Sequence, residues 1–339
     1  MFKKEWNPIG DGRVRQLISI QEQRWSEALH SARVEPLSLS PPLLFVGCGS
    51  SYYLAQAAAS VARGLGITAS AAAAGDVWSD PTASLLGAKG VIVISRSGTT
   101  SEALLAIDVI RTCGVPVHVL TCNADTALAA AADYATVLNA DDDTVVMIQS
   151  FTTMLMWLQA WLMRMQGRDA APFFRPGLAA EVLGAAEPLV KDLLETIPRR
   201  TVYLGAGVRF AIAQEGALKA LEMGGAPVLW YEPLEFRHGP WGLIDEGDVV
   251  WLLRLGDRTE GEVPLIADIE ARGARVVEIV RVGQEYPRHD VIRLPQNVPD
   301  LLAGPLAVIP LQLYAWTLAV ALGRDPDHPR NLTKVVRIG

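Results

Sequence analysis

Glu215, Lys219 and Glu222 stand at i, i+4 and i+7 in the run QEGALKALEMG. At about 100° per residue this spacing puts the three side chains within roughly 60° of one helix face, so they can share a site. On a solvated face such a Glu–Lys pair adds about 0.2–0.5 kcal/mol and nothing more. Here the rest of the helix is mainly Ala, Leu, Ile and Gly, which suits close packing. A carboxylate held beside a lysine in such surroundings has its proton affinity tuned by burial and charge, as a proton shuttle requires. A histidine and a further lysine stand apart. His238 lies in the loop Glu235-Phe-Arg-His238-Gly-Pro240, whereas His30 falls in a helical pattern, His118 in a strand, and His289 and His328 in polar turns. Lys334 is one of only six lysines against 24 arginines and is the sixth residue from the end of the sequence. An amine that can lose its proton can form a Schiff base, which a guanidinium cannot.

A second group of residues suits an anion. Ser95-Arg96-Ser97-Gly98-Thr99-Thr100-Ser101-Glu102 follows an apolar run and opens a helical pattern. Hydroxyls at such a junction, with the free N–H groups and dipole of the helix start, surround an oxyanion, and phosphate is the natural occupant. The competing reading is a capping box from Thr99 to Glu102 that does no more than start the helix. Gly47-Cys48-Gly49-Ser50-Ser51 is a second hydroxyl-bearing turn of the same kind. Neither matches a Walker loop or a dinucleotide fingerprint.

The elements that position these residues repeat. Leu43 to Val46 runs into Gly47-Cys48-Gly49 and a helical pattern, and 158 residues later Val202 to Leu204 runs into Gly205-Ala206-Gly207 and another. VIVISRSG at 91–98 and VVWLLRLG at 249–256 share that offset, which indicates a duplicated unit. Continuous apolar strands alternating with helices predict an α/β fold in which each half is a doubly wound parallel sheet covered on both faces. The expected boundaries are an N-terminal helical segment at 1–39, a first domain at 40–167, a connecting segment at 168–199 and a second domain at 200–339. One amphipathic helix is expected over 12–33, and the apolar helix at 151–166 reads as core. The second copy, with GAGVRF and LRLGDR, lacks the serines and threonines, so only the first half is built for phosphate.

Thirty Lys+Arg against 37 Asp+Glu give a net charge of −7, which disfavours a nucleic-acid or anionic-membrane binder. The uncharged stretch 301–323 is interrupted by Gly304, Pro305 and Pro310, leaving a helix of about 12 residues, roughly 18 Å, too short to span a bilayer. Cys48, Cys113 and Cys122 lack zinc-ligand spacing and read as reduced thiols. With no apolar leader visible, a cytoplasmic location is expected.

The motifs GCGSSYYLA, ISRSGTTSE, QEGALKALE, FRHGPWGLID and PLQLYAWTLAVALGRDPDHPRNLTK resemble, in order and spacing, the isomerase half of glutamine-dependent glucosamine-6-phosphate synthase and its stand-alone relatives, proteins with two sugar-isomerase (SIS) domains. The resemblance covers roughly residues 40–337. It implies two tandem SIS domains, with Ser51, Ser95, Ser97 and Thr100 holding a sugar phosphate and Ser50 and Arg96 lining the same pocket. Glu222 would move a proton between C1 and C2, His238 would assist ring opening, and Lys334 would meet the open-chain ketose carbonyl. Glu215 and Lys219 would support them. It further implies a homodimer in which the histidine reaches across the interface, with no metal and no cofactor. Residue 2 is Phe2 and about 40 residues precede the first domain, so the glutaminase and its nucleophilic cysteine are not expected. The run VVMIQSFTT and Phe236-Arg237-His238 look closer to stand-alone members. The implied activity is an isomerising deaminase acting on glucosamine- or galactosamine-6-phosphate. The alternatives are an aldose–ketose phosphosugar isomerase, a sugar-phosphate-amine deglycase and a non-catalytic sugar-phosphate sensor.

Overall fold

The computed structural model describes residues 12–37, 39–256, 260–281 and 290–336; residues 1–11, His289 and the last three residues of the tail lie outside them. In chain order the first half comprises α1 (Arg13–Ile20), a 3-10 turn at Gln21–Arg24, α2 (Trp25–Val34), β1 (Leu43–Gly47), α3 (Ser50–Gly64), β2 (Ala69–Ala73), the short α4 (Ala74–Ser79) and α5 (Pro81–Ser84), β3 (Gly90–Ile94), α6 (Ser101–Thr112), β4 (Val117–Thr121), α7 (Ala127–Ala131), β5 (Tyr134–Val137) and α8 (Gln149–Met165). The second half continues with α9 (Leu178–Leu193), β6 (Thr201–Leu204), α10 (Val208–Gly224), β7 (Val228–Tyr231), β8 (Val249–Arg254), α11 (Glu262–Glu270), β9 (Arg275–Arg281), β10 (Val291–Leu294) and α12 (Gly304–Ala321).

Each half holds a five-stranded sheet, in the orders β2-β1-β3-β4-β5 and β7-β6-β8-β9-β10, with every pairing parallel. Strands β1, β3, β4 and β8 are buried along their whole length, as sheets covered on both faces require. The duplicated α/β architecture is therefore present, but its offset drifts. Leu44 pairs with Val91 and Val202 with Val250, so the first strands stand 158 residues apart and the second strands 159. Because side chains alternate between faces, one residue decides the match. Val91 and Val93 point to the outer layer of their sheet, as do Val250 and Leu252, whereas Val249 faces the inner one.

One hydrophobic core fills the space between the sheets, uniting Phe45 and Ile92 of the first with Tyr203 and Trp251 of the second through α3, α8, α10 and α12. Helix α8 is buried from Gln149 to Met163, so its tryptophans and methionines are core, with Trp157 and Trp161 stacked at 5.8 Å. Two expectations need correction. The N-terminal segment is two helices, because the 3-10 turn directs Gln21 inward to bond Gln312 at 3.1 Å and Thr152 at 2.8 Å. The C-terminal helix has 18 residues. Pro305 occupies its first turn, where the missing N–H has no intrahelical partner, and Pro310 lies inside it. The helix is long and apolar enough to cross a membrane, yet 89% of it is buried in this fold.

His118 on β4 is 1% exposed and contacts Thr136 Oγ1 at 2.8 Å. Burial lowers its pKa to about 4. A neutral imidazole is thus favoured by folding, a contribution complete above the unfolded value near 6.5 and lost as pH falls through 4. In urea unfolding, His118→Asn is expected to lose about 2.5 kcal/mol less than the wild type between pH 7.5 and 4.5. Equal losses would mean that the ring is not held neutral.

Candidate active site

The turn from β1 into α3 depends on two glycines. A Cβ on Gly47 would lie 2.3 Å from the Ser51 carbonyl oxygen, and Gly49 has φ +54°, a conformation that favours glycine. The loop after β3 uses a third. Gly98, at φ +66°, would drive a Cβ within 2.3 Å of Thr126 Oγ1. Within that loop Ser95 Oγ accepts from Gly98 N at 3.2 Å and lies 3.4 Å from Thr100 Oγ1, while Ser97 Oγ lies 3.5 Å from Thr100 Oγ1 and accepts from Thr99 N. Thr100 is the N-cap of α6, and its side chain makes no capping hydrogen bond there. The capping box is therefore not formed, and the hydroxyls gather around one another.

Ser95, Ser97 and Thr100 line a cavity of about 210 Å³ with Ser50, Ser51, Arg96, Glu222 and Lys334. Helix α10 carries Glu222 to it from the second half. Gly216 permits this approach, since a Cβ there would lie 2.6 Å from Leu311 of α12. The i, i+4, i+7 spacing does bring its three residues together. Lys219 Nζ lies 3.2 Å from Glu215 Oε1 and pairs with Glu222 Oε2. Both Glu215 and Lys219 are fully buried, whereas the Glu222 side chain is 21% exposed and faces the cavity. Burial pushes Glu215 up to about 7, opposed in part by Lys219. Burial acts to lower Lys219, but Glu215 and Glu222 outweigh it and hold the ammonium above its ordinary pKa. Lys219 is thus a fixed positive charge behind Glu222. A second cavity of about 540 Å³, lined by Gly225, Arg324, His328 and Arg330, opens on the other side of Glu222.

Ser50 and Arg96 line the cavity while bonded to the protein's own groups, and His238 lies elsewhere. Ser50 lines the cavity, but its hydroxyl accepts from Lys219 Nζ at 3.1 Å and donates to Glu215 at 3.2 Å, so it serves the α10 cluster. The buried Arg96 donates to the carbonyls of Thr144, Val145 and Lys334. His238 is exposed after the 3-10 turn Glu235–Arg237 and does not line the cavity of its own chain. Sequence reasoning missed Asp141 and Asp142. The Asp142 carboxylate accepts from the backbone N–H groups of Ile148, Gln149 and Ser150, anchoring the start of α8. Asp141 pairs with Lys334 Nζ at 3.0 Å. Their signal was an acidic run just ahead of a long apolar helix, where carboxylates cap. Cys48 also lines the cavity, and burial followed by the charge of Glu102 pushes its thiol up to about 11.

The SIS domain family matches two stretches of this sequence, residues 37–164 and 197–322, each containing one of the sheets. The chain belongs to the SIS-domain family. It is 29% identical over 312 residues to the isomerizing glutamine–fructose-6-phosphate aminotransferase of Sulfurisphaera tokodaii, covering 90% of this chain and 51% of that protein. It is 34% identical over 262 residues to the enzyme of the same name from Pyrobaculum aerophilum, covering 73% and 43%. The chain thus spans about half the length of the curated relatives it matches, and it is homologous to their isomerase half. The solved glucosamine-6-phosphate deaminase of Thermotoga maritima superposes with a TM-score of 0.83 at 27% identity, covering 96% of this chain and 99% of that one.

The second SIS domain repeats the glycine turn with other contents. Gly207 has φ +60°, and a Cβ on Gly205 would lie 2.4 Å from the Arg209 carbonyl oxygen. Arg209 stands where the first domain has Ser51. Its guanidinium donates to the carbonyls of Ala206 at 3.1 Å and Leu253 at 3.4 Å and lies 3.9 Å from Glu262. The second turn is filled by the protein's own charges.

Removing Lys219 would leave Glu215 buried without its cation. Lys219→Met is expected to lower stability by about 3–5 kcal/mol, and adding Glu215→Gln should recover about half of that loss. Urea unfolding measures both. A double-variant loss equal to the sum of the separate Lys219→Met and Glu215→Gln losses would show that the pair is not coupled.

Proposed function

We propose that this chain is an isomerising deaminase of an aminosugar 6-phosphate. The observation that carries the reading is that the hydroxyl cluster of the first SIS domain and the Glu222 carboxylate of the second face one cavity. Its volume suits a single hexose phosphate. Ser51, Ser95, Ser97 and Thr100 would hold the phosphate, helped by the positive ends of α3 and α6. In the open-chain aldosamine, Glu222 takes the C2 proton and returns it at C1, while a proton moves from the amine to O1. The product is a ketimine, which water hydrolyses to ketose 6-phosphate and ammonia.

In this scheme Lys219 holds and aims the Glu222 carboxylate, and Lys334 meets the C2 carbonyl of the open-chain ketose. Ring opening falls to His238. Because that residue is exposed and away from its own cavity, it would be supplied by a second copy, making the working unit a homodimer. The similarity to a glucosamine-6-phosphate deaminase along nearly the whole of both chains supports the reading.

Wild-type protein should release ammonia and ketose 6-phosphate together from glucosamine- or galactosamine-6-phosphate. Glu222→Gln should lower kcat about 10³-fold with little change in KM, the scale of a lost general base. Ser97→Ala should instead raise KM roughly tenfold, as expected for a lost hydrogen bond to a charged group. Coupled assays for ammonia and ketose phosphate read all three. Undiminished turnover in Glu222→Gln would end the mechanism, and ketose formation from a neutral aldose phosphate without any ammonia release from the amines would assign the site to plain isomerisation.

A further inference from the structure

Two positively charged side chains line the cavity, Arg96 and Lys334, and they differ in how firmly they are held. Arg96 is 6% exposed. Its Nη1 donates to the Thr144 carbonyl at 3.3 Å, and Nη2 donates to the carbonyls of Val145 at 2.8 Å and Lys334 at 3.3 Å. Its Nε lies 3.8 Å from Asp141. Turning this guanidinium toward a ligand would strip three backbone carbonyls of their donor. Lys334 is tied more loosely. Its ammonium donates to Asp141 Oδ2 at 3.0 Å and to the Asp142 carbonyl, and the side chains of the Lys334–Asp141 pair are 36% and 29% exposed. The other oxygen of Asp141 is buried and accepts no hydrogen bond. Of the two, Lys334 is the cation able to move toward a bound sugar.

We propose that Asp141 is a built-in competitor of the substrate for Lys334: it holds the ammonium at the wall of the cavity and yields it to the carbonyl end of a sugar phosphate that enters. This rests on reading the cavity as a sugar-phosphate site. Asp141 then acts as a positioning residue that sets affinity, because part of the attraction between Lys334 and the ligand goes to breaking an existing ion pair. The sign of its effect separates this role from a structural one. If Asp141 merely clasped the tail residues Leu332, Thr333 and Val336 against the cavity, removing its charge would weaken binding. A competitor, once removed, strengthens it.

The test is calorimetric titration of fructose 6-phosphate into the full chain. Asp141→Asn should lower Kd about threefold, the scale of a half-exposed ion pair. Lys334→Met should raise it about tenfold, the scale of a lost charge-assisted contact. In the Lys334→Met background the Asp141→Asn change should have no effect. An unchanged or raised Kd in Asp141→Asn would overturn the proposal, as would an undiminished gain in the double variant. Should Asp141→Asn lower the melting temperature, Asp141→Ser provides the same comparison. If wild-type protein binds neither fructose 6-phosphate nor tagatose 6-phosphate, the sugar-phosphate reading itself falls, an outcome distinct from a wrong sign at Asp141.

Discussion

A lysine with no access to water, held between two carboxylates and a serine hydroxyl, is the interaction on which the rest of the site depends. Lys219 and its partners Glu215 and Glu222 belong to α10 in the second half, whereas Ser50 opens α3 in the first. Charges buried in this way are tolerated only when every member is paired. The cluster therefore fixes how the two halves meet as well as how Glu222 is aimed. Gly216 serves the same end by steric means, since only a residue without a side chain lets α10 lie this close to α12.

The two halves show how a common backbone is given different work. Their glycine turns adopt nearly the same angles, with Gly49 at φ +54° and Gly207 at φ +60°. The side chains just past the second glycine differ. In one copy short hydroxyls leave room for an anion. In the other, Arg209 reaches back to the ends of two strands and meets Glu262, whose pKa burial raises to about 7. The turn is a matter of backbone geometry, and ligand binding is decided by the side chains laid upon it.

Much of this was legible in the sequence, because it depends on local rules. Apolar runs ending in paired glycines gave β1 with α3 and β6 with α10, and helical periodicity alone grouped Glu215, Lys219 and Glu222. The details that escaped are set by contacts between distant parts of the chain. Ser50 reads as a phosphate ligand beside Ser51, yet its hydroxyl turns to residues more than 160 positions away. Arg96 reads as an anion ligand until the loop at 144–145 and the tail claim its donors. The one-residue drift between β3 and β8 is invisible in two apolar runs, where either register keeps hydrophobic residues on both faces. Pro310 reads as a helix breaker because local propensity takes no account of a segment enclosed on all sides by core.

The core between the sheets bears on the history of the fold. The inner face of each sheet and the helices lying on it are covered by the other half. A single copy of the unit would have to leave that apolar surface in water or bury it against another copy of itself. The ancestor that was duplicated is then best pictured as a self-associating protein of half this length. Joining two copies in one chain kept the shared interior intact and freed each half to change without having to remain its own partner.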